Sequence, residues 1–178
     1  MTIPLGLLKS HVRVDFDDDD ALLALYLSAA TSHFERATRR LLSQQTRTLK
    51  LGAFIDSMLP FPPLVSLTSV TYVDADGNTQ TLSADRYALD QTKPIARIRW
   101  IDPLPDLHED SFDRVTVTYV AGWNSPPADV VRAVLELAAG YYLTRESVAT
   151  IQFRPVPFGV QSVIDNRAVR EFEPGADP

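Results

Sequence analysis

Residues 15–20 read Asp-Phe-Asp-Asp-Asp-Asp, and alternating carboxylates of this kind begin the oxygen-rich loops that hold calcium. The rest of such a loop is missing. Counting from Asp15, the sixth position is Asp20, where a sharp turn needs glycine, and the twelfth is Tyr26, where a bidentate glutamate belongs. The run fits better as the acidic entrance of a helix, where the backbone dipole favours anions. Asp74, Asp76 and Asn78 raise the same question, yet Thr79 holds the glycine position and Gly77 suits a hairpin turn. His11, His33 and His108 fall in different predicted elements without ligand spacing, and each reads as a surface or core residue. With no cysteine in the chain, thiolate sites and disulfides are excluded, and no metal or cofactor is expected.

Nucleophilic and phosphate chemistry have equally little to stand on. No serine sits in G-x-S-x-G, and no glycine-rich loop of the P-loop or dinucleotide type occurs among the 7 glycines. Glu109 with Asp110 would need a cleft to do acid/base work, and solvated loop charges are the simpler reading. Tyr141 and Tyr142, followed by Arg145 and Glu146, read as core aromatics beside helix-end charges. The apolar, proline-broken segment 153–160 is different, because it has no periodicity that would bury it in its own fold. Phe153, Pro155, Val156, Pro157, Phe158 and Val160 are therefore candidates for docking to a partner, alongside a plain core role.

The elements that would position these residues follow from the period of the apolar pattern. Residues 18–43 recur at three- and four-residue spacing through Leu22, Tyr26, Ala29, Ala30, Phe34, Ala37 and Leu41, which predicts a long helix with arginines near its end. A shorter helix over residues 4–12 precedes it, with Pro4 in its first turn. From Gln45 the period becomes two, predicting strands over 46–51, 67–73, 79–82, 87–89, 95–100 and 114–120. Helix returns after Pro126 and Pro127, with Val130, Val134, Leu137, Ala138, Tyr141 and Tyr142 as its stripe. A short helix is expected over 161–169, and a frayed tail over 171–178.

The expected fold class is α+β. Two N-terminal helices and one long helix from the C-terminal half form a helical bundle core, into which an antiparallel β subdomain is inserted. As a single domain over 1–178, it would have helices at about 4–43 and 126–145, the insertion at about 45–123 and a C-terminal segment at about 148–178. A net charge of -6 argues against a broad nucleic-acid grip. No stretch approaches the ~18 apolar residues that span a bilayer, so no membrane partner is expected, and a cytosolic origin fits.

Taken in order, several stretches resemble the head-to-tail connector (adaptor, head-completion) family of tailed phages, in the branch with a β insertion. They are residues 7–14 with the acidic run and long helix behind them, 59–64, 69–77, 117–123, the 127–142 helix and 157–160. The resemblance implies a structural protein without catalytic residues, working as a ring, commonly dodecameric, in the virion neck after a spell in the host cytoplasm. Its partners would be further copies of itself, the portal protein and a stopper or tail-completion protein, with DNA only as passing cargo. It also gives the 153–160 segment a role at the portal. A small hydrolase and a monomeric ligand-binding module are the alternatives.

Overall fold

The computed structural model describes residues 3–109, 112–144 and 158–169, which divide into two compact units: one from residues 1–42 and 125–178, the other from 43–124. The elements are mixed helix and antiparallel strand, the α+β class.

In the first unit, Pro4 caps α1 (Leu5–Val12) from an extended conformation, one residue before the first turn where it was expected. α2 (Asp20–Thr38) is shorter than the predicted helix at both ends, stopping where Arg39 enters the left-handed region at φ 53°. Leu41 and Leu42 are still buried beyond that stop, and the Leu42 N–H donates to Glu35 Oε1 at 2.7 Å. The buried face of α2 is also rotated from the expected one. It runs through Leu23, Leu27, Ala30, Phe34 and Thr38, leaving Leu22 and Tyr26 half-buried and Ala29 and Ala37 exposed. The cause lies in the composition of the helix: residues 21–34 hold no Asp, Glu, Lys or Arg, so no charged side fixes which side turns inward.

α3 (Ala128–Leu143) is the centre of this unit. Val130, Ala133, Val134, Leu135, Leu137, Ala138 and Ala139 are all buried, more than a one-sided stripe, because α3 packs against α1, α2 and α4 (Phe158–Arg167). The helices on either side of the insertion therefore share one core, as the expected apolar stripes required.

The second unit holds two sheets. The first has the order β1-β7-β3-β4, from β1 (Gln45–Leu51), β7 (Val115–Ala121), β3 (Leu64–Val73) and β4 (Thr79–Thr81). The second has the order β2-β6-β5, from β2 (Ser57–Met58), β6 (Arg97–Trp100) and β5 (Tyr87–Asp90). In β7 the alternation is complete: Val115, Val117, Tyr119 and Ala121 are buried while Thr116, Thr118 and Val120 are only partly so. The β1–β7 ladder runs without a bulge from Gln45 opposite Ala121 to Leu51 opposite Val115. Phe54 ties the sheets together, its ring 5.9 Å from Tyr72 on β3 and 5.1 Å from Trp100 on β6.

The 59–64 stretch is a tight loop pinned from the sheet. Phe61 sits at φ 61°, a strained value for a bulky residue, under the Arg47 guanidinium at 5.0 Å. The Tyr119 hydroxyl donates to the Pro60 carbonyl at 3.1 Å, and the Gly122 N–H donates to the Pro63 carbonyl at 2.9 Å. Gly122, at φ 112°, is where the chain must turn in a way that suits glycine.

Two outcomes follow. Leu137→Ala should destabilise the protein by ~2–5 kcal/mol, because the site is enclosed on all sides, and chemical denaturation measures this directly. Tyr119 supplies a pH signature. Burial, opposed by the Arg47 charge, pushes its phenol from 10.0 up to about 12. The unfolded chain thus loses this proton first as pH rises. The contribution is complete below pH ~10 and is lost as pH rises toward ~12. Wild type should therefore lose stability relative to Tyr119→Phe across that window, read from paired denaturation curves.

Candidate functional site

The acidic run does structural work that involves two other helices. Lys9 of α1 places its Nζ 2.6 Å from Asp17 Oδ1 and 2.7 Å from Asp20 Oδ1, which raises the lysine pKa through Asp17 first and Asp20 second. The same contact with Lys9 holds the Asp17 carboxyl below its ordinary range. Asp19 stands at the N-cap of α2 but makes no side-chain capping bond. Its Oδ2 instead accepts from the Tyr142 hydroxyl of α3 at 2.6 Å. Tyr26 packs against the rings of both Tyr141 and Tyr142, each centroid 6.4 Å away, so the tyrosine pair belongs to the helix junction. The run thus opens α2, and its carboxylates reach across to α1 and α3.

The hairpin carboxylates are spent in the same local way. Asp74 Oδ1 accepts from the N–H groups of Asp76 and Asn78, and Oδ2 accepts from the Gln80 amide at 2.9 Å. Gln80, then the Asn78 backbone, keeps this carboxyl below the usual carboxylate range. Gly77, at φ 85°, makes the turn, and the His108 ring lies over it, 3.5 Å from where a Cβ would stand. Among the described residues no three His, Asp or Glu side chains group as a metal cage requires. A depression of about 390 Å³ at the β2-β6-β5 sheet is lined by Asp56, Asp90, Arg97 and Arg99 with Leu89 and Ile98. It brings neither Glu109 nor a histidine to a cleft.

The candidate docking residues divide. Phe153, Pro155, Val156 and Pro157 lie outside the described residues, while Phe158 opens α4. Val160 and Ile164 are buried in the helical unit, so Val160 belongs to the core. α4 begins three residues earlier than expected, and its far end is locked. The Arg167 guanidinium bonds both carboxylate oxygens of Asp129 at 3.0–3.1 Å, at the first turn of α3. The Arg40 Nε donates to the Arg167 carbonyl at 2.7 Å, and the Val169 N–H donates to the Thr38 carbonyl at 2.9 Å. Burial first, and the Arg167 charge second, lowers the Arg40 pKa. α4 is therefore held in the helical unit both by its buried side chains and by the bonds at its C-terminal end. Sequence reasoning missed this attachment because its partners are as far as 127 residues apart.

Comparison with known proteins supplies the rest. A family model for phage gp6-like head-tail connector proteins matches residues 2–59. No curated protein matches the chain. Among solved structures, a chain from the neck of an empty GTA particle computed with C6 symmetry is 30% identical, with a TM-score of 0.77 over 99% of this chain and 94% of that one. A chain in the virion of a native gene transfer agent (GTA) particle is 28% identical, with a TM-score of 0.78 over 98% and 93%. A third, from the neck of a native GTA particle computed with C12 symmetry, is 29% identical, with a TM-score of 0.68 over 100% and 97%. With the family model on the first helices and sequence identity carried through nearly the whole chain, the protein belongs to the phage head-tail connector family.

Proposed function

We propose that this chain is a structural subunit of a ring in the neck of a tailed phage, prophage or gene-transfer particle, seated between the portal and the stopper or tail. The observation that carries the reading is the end-to-end likeness to neck chains from particles of C6 and C12 symmetry. Cyclic symmetry means that each copy meets two identical neighbours, so the neck is built by self-association. The protein is a connector and not an enzyme. Its family is one of head-tail connector proteins, and the similar chains come from particle necks.

Charge suits the passage of DNA through the lumen. A chain of net charge -6 offers phosphate no broad attraction, so the duplex slides past instead of being held. Assembly would start from subunits in the host cytoplasm and finish in the virion.

The portal contact falls to the segment just before α4. Phe153 and Val156 supply apolar surface, and Pro155 and Pro157 limit the conformations the segment loses on docking. Buried Val160 and Ile164, with the bonds of Arg167 to Arg40 and Asp129, hold α4 on the helical core. Replacing Phe153 and Val156 together by alanine should leave the melting temperature of the free protein unchanged while abolishing co-sedimentation with portal-bearing heads. Normal co-sedimentation of the double variant would place the portal contact elsewhere.

A further inference from the structure

The outer face of α2 is unlike the surface of a helix that ends its life in water. Ala21, Ala24, Leu25, Ser28, Ala29 and Ser32 are all exposed, and Leu25 is 62% exposed. They follow one another at three- and four-residue steps, giving about three turns without a charge. Exposed helix faces normally carry charged side chains, and residues 21–34 of α2 carry none on any side. α1 shows a second face of this kind. It is held to the core through Leu8, while Gly6, Leu7 and Ser10 are exposed, Leu7 by 44%, and a Cβ at Gly6 would meet nothing within 4 Å.

We infer that these two faces are the lateral contact of the ring: the α2 face of one subunit receives the α1 face of the next. This rests on the ring assembly proposed above and adds the surfaces that make it. A cyclic ring needs two different complementary surfaces on every copy, and the helical unit offers two. Small residues on both sides let the helix axes approach to the ~8–10 Å of close packing, with Leu7 and Leu25 as the large side chains that fill the seam. Charge fits as well. α1 contains no acid and closes on His11 and Arg13, whereas α2 opens behind Asp15 and Asp18. None of these four has an ion-pair partner among the described residues, so each is free to meet its opposite on the neighbour.

The absence of cysteine makes a clean test possible in the full chain, co-expressed with its portal so that necks assemble. In the double variant Leu7→Cys with Leu25→Cys, mild oxidation should give a ladder of covalent multimers extending past the dimer, because each subunit links to two neighbours. Either single variant should stay monomeric on the same gel. Ala29→Arg, at an exposed site, should keep its circular dichroism melt and lower ring yield in electron micrographs by about tenfold or more. Wild-type rings with no ladder from the double variant would overturn this interface while leaving the ring intact. So would dimers from Leu25→Cys alone, which mean α2 against α2, or full ring yield from Ala29→Arg. Failure of the wild-type chain to form any ring would overturn the ring itself and the interface with it.

Discussion

The helical unit depends on the burial of α3. It carries seven buried apolar residues on more than one side, and no single neighbour can cover them. α1 and α2 come from the start of the chain and α4 from its end, so the core closes only when distant stretches of sequence meet. Bringing residues 42 and 125 together across an 82-residue insertion has an entropic cost, which grows slowly with loop length and is set mainly by whether the loop is ordered. Here it is ordered by its own ends. β1 and β7, the first and last strands of the insertion, are neighbours in the sheet, with Gln45 opposite Ala121. Entry and exit thus lie one strand spacing apart, ~5 Å, and the insertion interrupts the sequence without separating the helices it interrupts.

Polar contacts then fix what apolar packing leaves loose. Lys9 with Asp17 and Asp20, Tyr142 with Asp19, and Arg167 with Asp129 each join two helices that apolar burial has already brought together. Such exposed or half-exposed pairs add little net stability individually, since solvent screens them. Their use is geometric. A bidentate Arg167–Asp129 pair specifies the orientation of α4 on α3 better than a leucine contact does.

Much of this was legible in the residues. The six longer strands announce themselves by alternation, and the Asp-Gly turn at Asp76 and Gly77 marks their tightest hairpin. The paired prolines at 126 and 127 mark the start of α3, and the ordered resemblance of the stretches to connector proteins agrees with the family found by comparison. What was hidden has physical reasons. β2 is two residues long and has no pattern of its own. The phase of α2 differs by about one residue from the expected one because its middle carries no charge on any side, the same property that leaves an uncharged face outside. Its C-terminus was misjudged because Arg39 takes a left-handed conformation that a glycine would have advertised. The aspartate run was legible as a helix entrance, yet its partners Lys9 and Tyr142 lie on other helices, and only the fold brings them within bonding distance.

Ring formation by this structural subunit is tested most directly by the mass of its native complex with portal. Native mass spectrometry of the chain mixed with assembled portal rings should show a single saturating complex, holding the copies of one closed ring, twelve if it follows the C12 neck. A chain that remains a monomer beside the portal at every concentration, or that adds to it in open-ended, non-integer steps, would contradict the account.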